Sequence, residues 1–539
     1  MSKGSTANRS EVGNYFKMLR SLKKTMPETT IEADAIIVGA GLAGLFLAAR
    51  LADRGQRVLV LESGGQTQIE ETHPLNDVEM SGATYEGAAH GRFRCLGGTS
   101  SRWGGALLPY LGTDLMKHPC GWHSGWGTDE EVLSQALPDV EAAFGVTSGS
   151  YEGGAAIAEL LPTFKPRLPK WPAFRKRNTA NLFGERIRND GQLQVWTDAT
   201  VTKISLNSGR VSGVVAESLS GNSLTAKAPC VTLACGAIEA TRMLLLLNSA
   251  QEGRLFPKES PLGVGFHDHL SAPIADLQVF DRREISRLFG FRFVPGGMRN
   301  LRFELSAKTR FDKVLPGAFL HVAFSREEEN GFEGLRRIFQ SAQSRKMPSI
   351  SDIRLILADT PWFARAVWWR AVEKRLYPPP GSTFELHLAT EQEPNKRNTI
   401  SLSETQCDPF GLPLARIDWH ISNLDIETFL KIAEHAAECW SHGRIGHIAD
   451  LNVRSKDAVV AAVRDGGGIF HPAGTTRIGD TAKDGVVDSQ LRVHGVPGLR
   501  ALATSVFPSI GGSSPSLALT QMAVRMADEI AEDCSRATS

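Results

Sequence analysis

Hydrophobic and polar positions fall into different periods along the chain. Residues 35–38 form a short β-branched run that enters a glycine-rich turn. Apolar residues at Leu45, Ala48, Ala49 and Ala52 then follow at helical spacing, and a second apolar run, 58–61, ends in the acid Glu62. This order predicts a strand, turn, helix, strand unit. Short alternating runs at 193–196, 199–204 and 211–215, then an apolar strand at 230–233 that breaks at Gly236 into a helix over 240–247, predict a return to the same sheet. Residues 271–465 differ in character: alternation at 274–280, 301–305, 319–324, 383–390 and 399–403 predicts strands, and 334–343 and 426–440 read as helices. From 111 to 191 the chain reads as irregular, with a helical patch over 128–144 started by Thr128 and Glu131 and a proline-rich loop over 162–172.

The turn itself has the pattern Gly39-x-Gly41-x-x-Gly44, with Leu42 and Ala43 opening the helix. Gly39 allows a tight turn, Gly41 lets backbone approach a pyrophosphate, and Gly44 lets helix and strand pack closely. The pyrophosphate sits on the positive end of the helix, where N–H groups are free. Glu62 lies at the spacing from which an acid reaches a ribose hydroxyl. A dinucleotide site is therefore expected, and the stretch alone leaves open which dinucleotide.

Composition narrows the class. The chain has 539 residues, 42% hydrophobic and 22% charged, enough for a large core. Sixty basic against 59 acidic side chains give a formal charge of +1, so no global field favours nucleic acid or an anionic membrane. The seven cysteines are scattered with no Cys-x-x-Cys pair, which points to a reducing compartment without a disulfide framework or zinc site. His118, Cys120 and His123 match no metal spacing, and no metal is expected. The N-terminus is polar with basic residues at Lys17, Arg20, Lys23 and Lys24. No run reaches the roughly 18–20 apolar residues of a membrane span. A cytoplasmic location is the expectation.

A second glycine-rich stretch carries Leu96-Gly97-Gly98-Thr99-Ser100-Ser101-Arg102-Trp103-Gly104-Gly105, where backbone must pass close to something flat or anionic. Together with the first turn, this stretch resembles the glucose-methanol-choline (GMC) family of FAD-dependent oxidoreductases. The resemblance implies FAD, with the loop including Gly97, Gly98, Thr99, Ser100 and Trp103 running along the flavin. Several relatives link flavin covalently through a histidine just before the position of Trp103; this chain has Arg102 there, so non-covalent FAD is expected. Trp103 resembles sugar-oxidising members. The resemblance also sets Val201 against the adenine and Ala503 beside the ribityl chain. It implies an α/β fold: a Rossmann-like FAD-binding domain with an interleaved α+β substrate-binding domain, an antiparallel sheet backed by helices. The expected division is an N-terminal extension at 1–30, a discontinuous FAD-binding domain at 31–115, 190–270 and 466–535, and connecting and substrate-binding regions at 116–189 and 271–465.

The C-terminal segment holds the candidate chemistry. His471 lies between three glycines, Gly466 to Gly468, and a Gly-Thr-Thr turn, and its order and spacing match the family signature. Removing hydride from an alcohol carbon leaves a hydroxyl proton, whose removal needs a base with pKa near neutrality; histidine suits. The family supplies a second His or Asn just before the proline that starts its last helix. Here that position is Ser514, followed by Pro515. Serine is shorter and no base at neutral pH. Three outcomes follow: His471 works alone while Ser514 orients the substrate oxygen, another side chain enters from the substrate domain, or alcohol oxidation is weak. The first is favoured. By the family's geometry the helix after Pro515 aims its positive end at the flavin.

The expectation is an FAD-dependent oxidoreductase acting on the CH–OH group of a small-molecule alcohol, with a sugar or glycoside as one candidate, and an electron carrier as the acceptor partner. Redirected flavin chemistry (a lyase, isomerase or photoenzyme) and an oxygen-using alcohol oxidase are the alternatives. Two further features read as structural. Phe266-His267-Asp268-His269 corresponds to a structural Asp-His pair in the family. The basic aromatic segment 361–376 covers a sheet with its tryptophans; peripheral contact with a membrane is its alternative.

Overall fold

The computed structural model describes residues 18–25, 28–69, 73–325 and 329–538. Lys17 and the rest of residues 1–17 lie outside them. Within the expected N-terminal extension, Leu19–Ser21 and Glu28–Glu32 are strands.

Two six-stranded sheets set the architecture. The first is wholly parallel, in the order Leu19–Ser21, Leu193–Thr197, Val58–Leu61, Ala35–Val38, Cys230–Leu233, Leu499–Ala501. Its central strands are buried at every position, which is why their sequences are continuous apolar runs. The helix Leu42–Asp53 crosses between the strands Ala35–Val38 and Val58–Leu61 and packs against the last helix, Ser516–Thr538. Between them these elements bury Ile36, Ile37, Leu45, Leu47, Val60 and Leu517. Each such aliphatic side chain is worth roughly 1.5–3 kcal/mol of burial.

The second sheet is antiparallel, in the order Ala449–Val453, His269–Val279, Thr383–Glu391, Ala318–Ser325, Arg302–Leu305, Phe164–Arg167. One face carries Leu270, Ala272, Leu388, Leu386, Leu320, Phe303 and Leu305 into a second core. Alternation sends His269, Ser271, Ala389, His387, Phe319, His321 and Arg302 to the other face.

Three local expectations need correction. The helical patch at 128–144 is two helices, Glu130–Ser134 and Leu137–Phe144, and the first is capped by Asp129, whose carboxylate accepts from Val132 N–H at 2.9 Å. Thr128 is one residue too early; its hydroxyl instead accepts from Arg525. The proline-rich stretch is not simply a loop: Phe164–Arg167 and Lys170–Pro172 are strands. Both lie at sheet edges, where a missing proline N–H costs no ladder bond.

The basic aromatic segment is the helix Thr360–Val372. Trp362 and Trp369 are buried, whereas Val367, Trp368 and Val372 are exposed. Among the described residues no helix is long and apolar enough to cross a membrane.

Candidate functional site

The dinucleotide cradle is built by close backbone approach. A Cβ on Gly44 would sit 2.0 Å from the Gly39 carbonyl oxygen, and one on Gly39, whose φ is +105°, would meet Ala234 O at 2.6 Å. A Cβ on Gly41 would meet nothing within 4 Å, so this residue is open on the side where a ligand would approach. The first intrahelical bond runs from Leu45 N–H to Gly41 O at 3.1 Å, which leaves the N–H groups of Leu42, Ala43 and Gly44 for an anion. Glu62, buried at the end of its strand, accepts from Ala40 N–H and Gly64 N–H, each at 2.9 Å. Burial nevertheless raises its pKa.

The second glycine loop folds onto the first. Gly98 is left-handed, and a Cβ there would lie 2.9 Å from Gly41 Cα. Ser100 is buried and bonded to Thr179 at 2.9 Å, Thr99 is exposed, and Trp103 donates its indole N–H to Arg177 O at 2.8 Å. Val201 and Ala503 are both buried. The last helix begins at Ser516, directly after Pro515, with Leu519 N–H bonded to Pro515 O at 3.0 Å. Its first N–H groups are likewise outside the intrahelical ladder. An open Gly41 edge beside a helix N-terminus and a buried acid fits a dinucleotide such as FAD.

His471 sits on a loop wrapped around one carboxylate. Asp268, fully buried, accepts from His471 N–H at 2.9 and 3.0 Å, from His269 N–H at 2.6 Å and from Tyr85 O–H at 2.6 Å. The loop passes close because Gly467 and Gly468 are left-handed; a Cβ on Gly468 would stand 2.8 Å from the Asp268 carboxylate. Phe470 also adopts φ +67°, a conformation that L side chains rarely take and that the surrounding bonds hold in place. Burial lifts the Asp268 pKa to about 6 against these hydrogen bonds.

An antiparallel bridge between His267 and Ala473 brings the two segments into register, so His269 and His471 face one another. Their Nδ1 atoms are 3.1 Å apart, and His269 Nε2 lies 2.7 Å from the Gly511 carbonyl oxygen. A carbonyl only accepts, so His269 carries its proton on Nε2 and offers a lone pair at Nδ1. His471 must then donate from Nδ1, which leaves its own Nε2 with a lone pair. Burial lowers the pKa of both rings, and the neighbouring His269 and Arg302 push that of His471 well below the ordinary histidine value. A neutral imidazole of fixed tautomer can accept a proton.

His269 is thus the residue that sequence reasoning missed, having taken Phe266 to His269 as structural. Asp268 does organise the loop, but its neighbour contacts the candidate base. Ser514 makes no hydrogen bond to His471; the loop carrying it is connected through Gly511 and His269. Asp268, His269 and His471 also place one potential metal ligand each within 4.8 Å of one another. The Asp268 carboxylate, both His269 nitrogens and His471 Nδ1 are already committed to the bonds described above. A cavity of about 550 Å³ beside Tyr85, lined among others by Met80 and Leu414, includes none of the predicted site residues.

Comparisons with known proteins bear on the fold and the cofactor class. Residues 34–260 match the model described as FAD dependent oxidoreductase, and residues 394–523 match that described as GMC oxidoreductase. The chain is thus similar to GMC oxidoreductases over residues 394–523 and to FAD-dependent oxidoreductases over residues 34–260. Family members are FAD-dependent oxidoreductases. A GMC-type oxidoreductase of Mycobacterium tuberculosis (strain ATCC 25618 / H37Rv) is 24% identical over 62% of this chain, and the match spans 58% of that relative's length. An oxygen-dependent choline dehydrogenase of Yersinia pestis bv. Antiqua (strain Nepal516) is 25% identical, with 93% of this chain and 94% of that protein covered. Formate oxidase shares the fold with a TM-score of 0.57 at 16% identity, over 94% of this chain and 99% of that one. Pyridoxine 4-oxidase from Mesorbium loti does so with a TM-score of 0.55 at 16% identity, over 92% and 98%.

Proposed function

We propose that this chain is a GMC oxidoreductase and oxidises the CH–OH group of a small-molecule alcohol, with His471 Nε2 as the base that takes the hydroxyl proton. The observation that carries the reading is the chain Gly511 O, His269, His471, in which two hydrogen bonds leave the Nε2 lone pair free. FAD, when bound, supplies the acceptor for the hydride that leaves the alcohol carbon. Gly39, Gly41, Leu42, Ala43, Gly44 and Glu62 would hold its adenosine and pyrophosphate portions, with Val201 beside the adenine. Gly97, Gly98, Thr99, Ser100, Trp103 and Ala503 would flank the remainder. The helix after Pro515 would offer its positive end to negative charge there.

His471 is neutral at physiological pH because burial, the neighbouring His269 and the Arg302 charge disfavour its protonated form, so it stands ready to accept a proton. Ser514 orients the substrate hydroxyl. Arg102 is exposed and donates to Gln68 at 2.8 Å, and arginine forms no flavin link of the kind a histidine there would, which supports non-covalent FAD. The Trp103 position keeps sugars and glycosides among the candidate alcohols. Reoxidation by an electron carrier completes the proposal, and seven scattered cysteines without a Cys-x-x-Cys pair support a reducing, cytoplasmic setting.

The test is anaerobic bleaching of the flavin absorbance by a panel of alcohols. At least one alcohol should bleach the wild-type protein, and His471→Ala should keep its FAD yet lose bleaching by a factor of about 10²–10⁴. Unchanged bleaching in that variant would remove His471 from the role. Failure of every alcohol to bleach a fully flavin-loaded protein would turn the reading toward redirected flavin chemistry.

A further inference from the structure

On the polar face of the antiparallel sheet, Arg302 stands out as a half-buried cation that makes no ion pair among the described residues. Its Nε and one Nη are closed to solvent and have no hydrogen-bond partner among the described residues. Its guanidinium carbon lies 4.9 Å from the ring centre of Phe319 and 5.6 Å from that of Trp171. The carboxylate two residues on, Glu304, is engaged by Arg167. Burial lowers the Arg302 pKa to about 10, so it remains charged at neutral pH.

The surroundings place this charge beside the proposed reaction centre. Phe319 and His269 have ring centres 6.1 Å apart, and those of His269 and His471 are 5.3 Å apart. Along the same face His321 lies 5.8 Å from Phe319, and its Nδ1 is also buried without a partner. The histidines whose pKa values the Arg302 charge helps to lower, His269, His321 and His471, contribute no negative charge. Two aromatic faces attract the cation but satisfy none of its N–H donors. Closing two charged N–H donors off from solvent without partners is costly, on the order of the roughly 1–3 kcal/mol of a neutral unpaired group or more, unless a ligand completes them.

We propose that Arg302 receives the carboxylate of the substrate, and that the alcohol oxidised at His471 is therefore a hydroxy acid. The planar guanidinium fork presents paired N–H donors that match a carboxylate's two oxygens. His321 lies beside it for a further hydrogen bond. The substrate spans from this anchor, across Phe319 and His269, to the Nε2 side of His471. This proposal rests on the reading of His471 as the base, and it adds a second fixed point that selects among alcohols by charge.

The experiment is calorimetric binding to the flavin-loaded full chain of a series of ω-hydroxy acids and sugar acids, each beside its methyl ester. The two members of each pair share the hydroxyl and differ mainly in charge. At least one acid should bind about tenfold or more tightly than its ester, a difference of about 1.4 kcal/mol. R302Q should erase that preference, R302K should keep part of it, and FAD content would verify that both variants fold. Acids that bind no tighter than their esters, or a preference that survives in R302Q, would overturn the proposal. The comparison of acid with ester in the wild-type protein needs no variant at all. Repeating it in His471→Ala separates the two claims: charge preference retained without bleaching supports both. Charge preference together with undiminished bleaching would sink the role of His471 and leave the carboxylate site standing.

Discussion

His269 and His471 meet Nδ1 to Nδ1 at 3.1 Å although 202 residues separate them in the chain. Two imidazoles can share that contact only if one donates and the other accepts, and Gly511 decides which, because its carbonyl accepts from His269 Nε2–H. His269 therefore acts as a positioning residue. His269→Ala should slow anaerobic flavin reduction by about 10²-fold, near the lower end of a general base's contribution, with little change in substrate affinity. Because His269 helps to hold the His471 pKa down, the same variant should move the acidic limb of the kcat/KM profile to higher pH. His269→Gln, whose amide can accept from His471 and donate to Gly511, should restore part of the rate. A merely structural role would leave the pH profile in place and show no rescue.

Tyr85 supports the same site from behind. Its hydroxyl donates to Asp268 at 2.6 Å, and both groups are buried. Tyr85→Phe should cost about 1–3 kcal/mol of stability in urea titration, because a buried carboxylate loses a donor. It should also raise the Asp268 pKa above its present value of about 6. The loop that carries His471 then loses part of its anchor, so flavin reduction should fall more steeply below neutral pH than in the wild-type protein. Equal stability and an unchanged pH profile would show that the Asp268 cluster does not hold the loop.

Much of this architecture was legible in local sequence. The run 35–38, the spacing of Gly39, Gly41 and Gly44, and the acid at Glu62 are all short-range patterns, and the unit they predict is present. Period-2 alternation likewise located strands of the antiparallel sheet. It could not assign Arg302 or His269 to the polar face, because that depends on register between segments distant in sequence. The His267–Ala473 bridge is such a register, and no local pattern encodes it. The histidine beside Asp268 was the available signal, and it became informative only once the loop of Gly467, Gly468 and Phe470 was seen to close on that carboxylate. The strands in the proline-rich stretch were hidden for a different reason: Pro166 and Pro172 sit in edge strands, where proline is tolerated.

Buried neutral histidines give the fold a defined acid sensitivity. Burial lowers the pKa of His123 and His267 to about 4 and that of His321 to about 3, and it also lowers those of His269 and His471. Below pH about 6.5 the unfolded chain binds protons at these positions that the native state refuses, so stability falls as pH falls. Asp268 and Glu304 work in the opposite sense: burial raises them to about 6 and about 7, so the native state holds their protons where the unfolded chain has lost them. With His73 and His435 also lowered and Glu62, Glu393 and Asp425 also raised, seven histidines outnumber five carboxyls among the described residues. The urea midpoint should therefore drop between pH 6.5 and 4.5, at about 1.4 kcal/mol per pH unit for each unmatched proton. A midpoint that stays level or rises over that range would contradict the neutral state of these rings.

The glycine turn allows a test that separates folding from cofactor binding. Gly44→Ala places a Cβ 2.0 Å from a backbone oxygen that cannot move without breaking the turn, so the variant should lose several kcal/mol or fail to fold, on the order of the largest single-site effects. Gly41→Ala meets no protein atom within 4 Å, and Gly41 has an ordinary extended φ of −83°. The apoprotein should keep its melting temperature, or gain slightly from reduced freedom in the unfolded chain. Its added methyl points into the space where a pyrophosphate would approach, so FAD affinity should fall by about tenfold or more in fluorescence titration. Loss of stability in the Gly41→Ala apoprotein, or unchanged FAD affinity, would show that the open edge of the turn is not where the cofactor lies.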